Sequence, residues 1–600
     1  MSASDSSGRS RIWISMPRKT ISGQTMQSPR AAMRRAAPPR RAPQDPNTVY
    51  PANRQEIMPI ALASVILAFL ALLVSASRGW MLLYGDAVAH LGIARRILDA
   101  RYPGLAQLGG VWLPLPHLLM LPFVQRMDWW QNGIAGAWPS LAAYVLGNAG
   151  CYALARKLVT PTWAFAATAF FALNPNLLYL STTAMTEPLF LALLLWSTVI
   201  AYEAVEALGA NKVSTAKTRM LLSGLLTMAM VFTRYDGWIV GAAIWVVLAL
   251  AWWRSSDATK QATKSSLLIM TVLAAMGPVL WFAYNAVYQH DWLDFMRGPY
   301  SAKAIEEKTT PAGSAPRRGM HNPGWALIYF TRAAQVDAAA YELGFGVMFA
   351  ALAGGWMAWK QKLSRITLLL WLPLPFYVYS IAWGHVPMFI PQLYPGSYYN
   401  SRYGMELLPA LTIFTALVLA AVEKWLRARS KKQADLFFFL VLFSIVFNVV
   451  AMMGTFGTML QRVRGENAKV PKWLTAPPLV FEEGLMNSIT RIPFETTLAK
   501  EMLNAGPGAT IMFNTNDHMG AVQDAGIPLR RLVSPLDSQS FDQASQLPAK
   551  YAQLVIAIDG DPVAKAVAAH PEGLSELEVI CNSGQGCARI YRSTMFGGAR

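Results

Sequence analysis

The sequence predicts a polytopic, all-α membrane protein: a bundle of about eleven transmembrane helices followed by a small α/β domain outside the membrane. Of the 600 residues, 54% are hydrophobic and only 14% are charged. Apolar segments of about 20 residues, the length that spans a bilayer, recur along the first three quarters of the chain. Because the bilayer core offers no water to backbone polar groups, and barrel strands are far shorter, these segments are predicted to be helices.

Eleven segments are long and apolar enough to be predicted as spans, with 219–233 and 237–253 the shortest of them. They are 57–79, 133–155, 161–179, 187–206, 219–233, 237–253, 266–288, 341–359, 366–383, 402–422 and 434–453.

The distribution of Lys and Arg predicts the orientation of these spans. Sixteen of these residues fall in alternate loops, whereas the short loops 180–186, 234–236 and 384–401 carry only Arg234. Short cytoplasmic loops collect basic residues. We therefore expect a multi-pass protein of the bacterial inner membrane, with a cytoplasmic N-terminus and an exoplasmic C-terminus.

Two exoplasmic loops are predicted, 80–132 and 289–340. The apolar stretch Trp112–Gln125 is too short for a span and contains three prolines, so we expect 80–132 to form a helix pair in the membrane interface. The loop 289–340 is rich in Gly, Pro, Lys and Arg in its middle. This composition predicts a mobile loop that covers a cavity at the membrane edge and gates acceptor entry.

Three regions follow from this pattern: a disordered basic tail over 1–55, a membrane bundle over 56–455, and a soluble α/β domain over 456–600. The tail accounts for part of the +18 formal charge and the cytoplasmic loops for much of the rest, so no nucleic-acid partner is expected. Short strand-like runs predict strands at Ala509–Phe513, Leu554–Ile558 and Ala588–Tyr591. No glycine-rich nucleotide-binding motif occurs there.

Cys581 and Cys587 flank a turn-forming insert in this last region. In an oxidising exoplasmic compartment they are candidates for a small disulfide loop, and two free thiols are the alternative.

The residues that suggest chemistry fall at or just beyond the ends of apolar runs, all on the side predicted to be exoplasmic. They are Asp86, His90, Glu187, Arg234, Asp236, His385 and Arg402. Ionisable groups at membrane depth usually mark a functional site.

The first of these follows the first span, in the sequence Tyr84-Gly85-Asp86-Ala87-Val88-Ala89-His90. This loop resembles the first exoplasmic loop of the GT-C glycosyltransferases, which include protein O-mannosyltransferases and the bacterial aminoarabinose transferase. The start of the tenth span, Ser401-Arg402-Tyr403-Gly404 through Pro409, resembles an Arg-Tyr helix start of the same enzymes. The resemblance implies a GT-C bundle in which Asp86 is the catalytic carboxylate.

Each candidate also has a plainer interpretation. Asp86 is also a good N-cap for a helix starting at Ala87. His90, one turn further on, would orient Asp86, contact the acceptor, or only lie at the interface. Glu187 precedes Pro188, which is ordinary helix-start chemistry.

The two arginines are predicted to contact phosphate. Arg234 would bind phosphate or pair with Asp236, and Arg402, beside Tyr403, is the preferred ligand for the donor phosphate, with an interfacial arginine as the alternative. Glu406 is expected to neutralise Arg402 or to face the cavity, because an unpaired acid at that depth is costly.

We therefore predict an inverting glycosyltransferase that moves a sugar from a polyprenyl-phosphate donor to an exoplasmic acceptor (protein, lipid or glycan), with Asp86 as general base and His90, Glu187, Arg234, Asp236, His385, Arg402 and Tyr403 binding substrate. No cofactor is implied with certainty, and a divalent metal is left open. The main alternative is a secondary transporter of a polar or anionic substrate, although the sequence shows no internal repeat of the kind that transporters have. A scaffold or sensor would leave Asp86 and Arg402 dispensable.

Overall fold

A computed structural model describes residues 52–310, 313–340, 342–464 and 478–596. Nearly all of the predicted basic tail lies outside these residues. The first part of the chain is helical throughout, and its helices are Arg54–Arg78, Gly85–Asp99, Leu115–Val124, Met127–Asn132, Ile134–Ala155, Pro161–Ala172, Pro175–Leu180, Glu187–Gly209, Val213–Val231, Asp236–Trp253, Asp257–Tyr288, Asp294–Arg297, Ala302–Thr309, Pro323–Ala338, Leu343–Lys360, Pro373–Trp383, Leu408–Arg427, Lys431–Met452 and Thr455–Arg464.

All eleven predicted spans coincide with helices, but not all of these helices are long and apolar enough to cross a membrane. Seven helical segments within the described residues are long and apolar enough to cross a membrane, or eight if the bent pair Pro323–Ala338 and Leu343–Lys360 counts as one span. The predicted spans 133–155, 161–179 and 219–233 fall on helices that are not among them.

The surface of these helices is what a lipid environment requires. In Arg54–Arg78, only 17% of the most apolar window is buried by protein, and Leu62, Ile66 and Phe69 are each more than half exposed. Contiguous apolar surface of this extent is not stable in water. The chain is therefore an integral membrane protein.

The first predicted loop contains two helices of interest, and one differs from expectation. Leu115–Val124 has ten residues, too short to span, as predicted. Gly85–Asp99 is buried by protein: Val88 and Leu91 are at most 4% exposed, and an added Cβ on Gly92 would lie 2.7 Å from Met519. This helix, predicted to lie in the membrane interface, therefore packs in part against the C-terminal segment, which the local sequence pattern does not reveal.

The second predicted loop is more ordered than expected. Much of its second half is the Pro323–Ala338 helix, in which Tyr329 and Phe330 are almost fully buried. The prediction of an irregular mobile loop is wrong for this part, because its apolar side chains pack into the bundle core.

A five-stranded sheet forms the C-terminal part, with strands β1 (Ile511–Phe513), β2 (Leu532–Val533), β3 (Leu554–Ile558), β4 (Leu574–Asn582) and β5 (Gly586–Ser593). Their order in the sheet is β2-β1-β3-β5-β4. Strand β1 runs parallel to β2 and β3, while β5 pairs antiparallel with β3 and β4. The helices of this part are Leu479–Asn504, Thr515–Ala525, Ser538–Ser545, Pro548–Tyr551 and Pro562–Ala569.

Local chemistry explains two features of this part. The Asp561 side chain accepts a hydrogen bond from the amide of Ala564 (2.6 Å), so it caps the helix that Pro562 opens. Cys581 and Cys587 face each other across the β4–β5 hairpin and form a disulfide.

The Leu479–Asn504 helix joins the sheet to the bundle. The Tyr84 hydroxyl donates to the carbonyl of Val480 (2.8 Å), and the Asn176 side chain accepts from the Val480 amide (3.0 Å). About three turns later along the same face, Arg491 donates to the carbonyls of Leu82 (2.6 Å) and Leu83 (3.1 Å). The start of this helix is thereby fixed against the segment that carries Asp86.

Candidate functional site

A connected network of two arginines and five carboxylates joins the ends of several helices. Asp86 lies in the first turn of Gly85–Asp99, Glu187 opens Glu187–Gly209, and Asp236 opens Asp236–Trp253. Arg402 and Glu406 lie on the 3-10 turn Ser401–Leu407, just before Leu408–Arg427. The remaining members are Arg234, in the turn before Asp236, and Glu483, near the start of Leu479–Asn504.

Arg402 is held by three carboxylates on three of its nitrogens. Nη2 contacts Asp86, Nε donates to Glu187 (3.1 Å), and Nη1 donates to Glu483 (3.4 Å). Its guanidinium carbon lies 5.2 Å from the ring centre of Tyr84 and 5.0 Å from that of Tyr403, so aromatic faces add cation–π stabilisation. Arg402 is thus charged, buried and fixed in orientation.

The three carboxylates differ sharply in exposure. The Asp86 side chain is 42% exposed, whereas those of Glu187 and Glu483 are 1% and 2% exposed. Asp86 is the only one of the three that a ligand from solvent can reach without rearranging the protein. The Asp86 side chain therefore marks the open end of the network.

Arg234 forms the second centre, deeper in the network. Its Nη1 donates to Glu187 (3.0 Å) and Thr186 (2.8 Å), its Nε to Asp236 (3.3 Å), and its Nη2 lies 2.9 Å from Glu406. Glu187 therefore bridges the two guanidinium groups. The expected pairing of Arg234 with Asp236 is present.

Tyrosines complete the packing around Arg234. The Tyr377 hydroxyl lies within hydrogen-bond distance of Arg234 (2.8 Å), Asp236 (3.0 Å) and Glu406 (2.8 Å). The Tyr403 ring centre is 5.1 Å from the Arg234 guanidinium carbon, so this ring contacts both arginines. One oxygen each of Glu187 and Glu406 is buried with no hydrogen-bond partner among the described residues.

Two sequence-based interpretations are corrected by this geometry. The helix after the first span begins at Gly85, and no side-chain cap hydrogen bond is made by its N-cap residue, Tyr84, so Asp86 is not an N-cap. Glu406 pairs with Arg234 and not with Arg402, because four residues of a 3-10 segment make about one and a third turns, so the two side chains leave the segment on different sides.

His90 lies beside the network and pairs with a second histidine. Its Nδ1 is 2.8 Å from Nε2 of His117, and its ring packs against Trp112 at 4.4 Å. Burial, with smaller contributions from the charges of Arg402 and Arg234, lowers the pKa of His90 to about 3. His90 is therefore a neutral imidazole that can exchange hydrogen bonds but carries no charge at physiological pH.

His385 belongs to a separate pair. Its Nδ1 lies 2.7 Å from Glu306, on the Ala302–Thr309 helix, and Arg317 lies 2.5 Å from the other oxygen of that carboxylate. Although burial opposes it, hydrogen bonds from Arg317 and His385 hold the pKa of Glu306 below its usual range. His385 thus joins the Ala302–Thr309 helix to the loop before Arg402, and its contact with a carboxylate lies outside the arginine network.

Glu483 is the site residue that sequence reasoning missed. It accepts hydrogen bonds from the amides of Asn400 (2.8 Å) and Ser401 (2.8 Å) and from the Ser401 hydroxyl, in addition to its contact with Arg402. Burial raises the pKa of Glu483, and the charge of Arg402 opposes that rise. Glu483 lies 81 residues after Arg402, and no motif around it signals the pairing.

No arrangement for a metal ion is evident in the described parts of the chain, where no group of three or more His, Cys, Asp or Glu side chains is placed to hold one. The network nevertheless has more carboxylates than arginines. Such an excess keeps both buried guanidinium groups charged, because each has more than one anionic partner.

No protein-family model and no curated protein sequence matches the chain. Several solved structures are similar to the chain, among them two of low sequence identity. ArnT from Cupriavidus metallidurans, bound to undecaprenyl phosphate, shares 13% identity with a TM-score of 0.49, and the match covers 91% of this chain and 100% of that one. The oligosaccharyltransferase of Archaeoglobus fulgidus, in complex with zinc and sulfate, shares 11% identity with a TM-score of 0.44, covering 89% and 72%. Because both scores lie below 0.5, the activity of this chain has to be inferred from its own side chains.

Proposed function

We propose that this protein is a membrane glycosyltransferase that transfers a sugar from a polyprenyl-phosphate donor to an acceptor on the exoplasmic side, with inversion at the anomeric carbon. The observation that carries the proposal is the contact between Asp86 and Arg402 at the open end of a buried ion-pair network. This contact supports the proposal because a carboxylate can act as a base and a guanidinium group can bind phosphate.

The donor phosphate is expected to bind Arg402. Two of the three partners of this arginine are nearly fully buried and hold Nε and Nη1, while Nη2 faces the exposed Asp86. A phosphate oxygen is an equivalent anionic partner for a guanidinium group. We infer that the phosphate replaces Asp86 on Nη2, and that Asp86 is thereby freed from its ion pair.

The released Asp86 then acts as general base. The acceptor hydroxyl oxygen attacks the anomeric carbon while Asp86 takes the hydroxyl proton, a new C–O bond forms, and the bond from that carbon to the phosphate oxygen breaks with its electron pair going to the phosphate. The leaving polyprenyl phosphate gains negative charge, which Arg402 stabilises. Asp86 regains a partner when the phosphate departs.

The remaining residues are proposed to bind or orient. His90, neutral and adjacent to Asp86 on the same helix, is expected to hydrogen-bond a sugar or acceptor hydroxyl. Arg234, Asp236 and Glu187 hold Arg402 and its surroundings, and Tyr403 packs against both arginines. His385 is proposed to bind substrate from the loop that precedes Arg402.

Sugar transfer by the purified full-length protein tests this function. Undecaprenyl phosphate carrying a radiolabelled sugar is incubated with candidate acceptors, and release of undecaprenyl phosphate and labelling of the acceptor are followed with and without chelator. We expect transfer by the wild type and loss of transfer in Asp86→Asn and in Arg402→Lys, because lysine keeps a cation beside the buried Glu187 and Glu483 but cannot bind phosphate as a guanidinium does. Uptake of a substrate into vesicles without transfer would instead support a transporter, and full activity of both variants would exclude these roles.

A further inference from the structure

Glu483 connects the C-terminal part of the chain to the reactive end of the network. It stands in the first turns of Leu479–Asn504, the helix that precedes the sheet, and its side chain reaches the segment that carries Arg402. We infer that Glu483 is a positioning residue for Arg402, and that the C-terminal part thereby completes the site. This inference rests on the function proposed above.

The contacts of Glu483 are directed at the backbone just before Arg402. Both of its oxygens accept amide hydrogen bonds, one from Asn400 and one from Ser401, and Ser401 adds its hydroxyl. Asn400 has a φ of 56°, in the left-handed region, so the chain turns sharply here. A carboxylate that bonds two successive amides fixes such a turn.

The same carboxylate holds the far side of the Arg402 guanidinium. Glu483 occupies Nη1 and Glu187 occupies Nε, which leaves Nη2 directed at Asp86. If Nη1 were released, the guanidinium could turn and offer two nitrogens to Asp86 in a bidentate pair. That stronger pair would compete with the donor phosphate. By preventing it, Glu483 allows the phosphate to replace Asp86 on Nη2 of Arg402.

Glu483 is itself held in place by the fold of the C-terminal part. Phe481, on the same helix turn, packs edge-on against Trp80 at 4.6 Å and Tyr179 at 5.0 Å. An added Cβ on the following Gly484 would lie 2.8 Å from the Tyr179 hydroxyl, so this helix approaches the bundle as closely as a glycine permits. The position of Glu483 is thus set by packing and does not depend on its charge alone.

Glu483→Gln in the full-length protein tests the inference, with Glu482→Gln as the matched control on the neighbouring position. Glutamine has nearly the same shape and can still accept a hydrogen bond, but it does not attract Arg402 as a carboxylate does. Affinity for undecaprenyl phosphate in detergent micelles, hydrogen exchange of the amides of Asn400 and Ser401, and melting temperature are measured for each variant.

At melting temperatures close to that of the wild type, we expect Glu483→Gln to weaken the binding of undecaprenyl phosphate about tenfold or more and to speed exchange of the two amides. Glu482→Gln is expected to change neither the affinity for undecaprenyl phosphate nor the amide exchange. In Glu483→Gln, kcat for transfer should also fall, even at saturating donor. A merely structural role would lower activity only in proportion to the folded fraction.

Equal affinity and equal amide exchange in the two variants would overturn the inference. The binding and exchange measurements need no transfer reaction, so failure of the proposed activity and failure of this positioning role are distinguishable. If the wild type binds undecaprenyl phosphate and transfers no sugar, only the activity is lost. If transfer occurs and is insensitive to Glu483→Gln, only the positioning role is lost.

Discussion

Asp86 and Arg402 form an ion pair in the structure. Because of this pair, substitution of Asp86 should change the affinity for donor phosphate as well as the rate of transfer, whereas a carboxylate that acts only as a base would affect the rate alone. Asp86→Asn removes a competitor for the Arg402 guanidinium, so undecaprenyl phosphate should bind more tightly. It also removes the base, so transfer should fall by about a hundredfold or more. Equilibrium binding and initial rates of transfer measure the two effects on the same preparation.

The control for this variant is Asp128→Asn, in an exposed pair with Arg126 remote from the network. Asp128→Asn should alter neither the binding of undecaprenyl phosphate nor the rate of transfer. Weaker binding of undecaprenyl phosphate by Asp86→Asn would contradict the exchange of partners at Arg402.

Arg234 offers a second test at the same scale. Arg234→Met leaves Glu187, Asp236 and Glu406 buried without their shared cation, and breaking a buried ion pair costs about 3–5 kcal/mol. We expect a marked fall in melting temperature or in the yield of folded protein. Arg126→Met, at an exposed pair, should leave the melting temperature unchanged, and equal behaviour of the two variants would show that the network does not depend on Arg234.

Single residues also show how far sequence reasoning extends. The ends of apolar segments selected Asp86, Glu187, Arg234, Asp236 and Arg402, and the structure brings all five into one network. The partner of Arg402 on the C-terminal helix was not found, because its pairing spans 81 residues with no repeat or motif to reveal it. Of the two interpretations of Glu406, pairing with Arg402 is wrong, because a 3-10 segment, and not an α-helix, connects the two residues and places their side chains on different sides.

At the scale of elements, apolar length predicted helix positions well, because a lipid-facing helix shows its environment in its own composition. Packing between segments that are distant in the sequence was harder to predict. The apolar residues of Gly85–Asp99 suit contact with lipid as well as with protein, and only the structure shows that Gly92 lies against Met519. The Pro323–Ala338 helix was missed because a Gly- and Pro-rich stretch precedes it.

The Pro562–Ala569 helix gives a pH-dependent prediction at this scale. Burial raises the pKa of its N-cap, Asp561, from 3.8 to about 6, despite hydrogen bonds from nearby amides. The folded state therefore binds a proton between these two values more readily than the unfolded state does. The contribution of Asp561 to stability is full below about pH 4 and is lost as the pH rises through 6.

Asp561→Asn should remove this dependence while keeping a good N-cap. One pKa unit corresponds to about 1.4 kcal/mol, so the variant should gain about 2–3 kcal/mol relative to the wild type between pH 4 and pH 7.5. Hydrogen exchange of the amides in this helix, compared at the two pH values, measures the difference. An identical pH response in wild type and variant would contradict the assignment.

The whole molecule is an integral membrane protein whose network lies where several helices begin. Its orientation is a proposal from the charges of the loops, and labelling tests it. Cysteines introduced at the exposed positions Lys432 and Lys565 should react with an impermeant maleimide from opposite sides of the membrane, Lys565→Cys from outside intact cells and Lys432→Cys only after permeabilisation. Labelling of both from the same side would remove the basis for an exoplasmic site.

The most direct test of the central claim is a structure of the full-length protein with undecaprenyl phosphate. We predict that the phosphate contacts Nη2 of Arg402, that Asp86 has moved off the guanidinium, and that Glu187 and Glu483 keep their contacts with it. A phosphate bound away from Arg402, or one bound while the Asp86–Arg402 pair remains intact, would contradict the account.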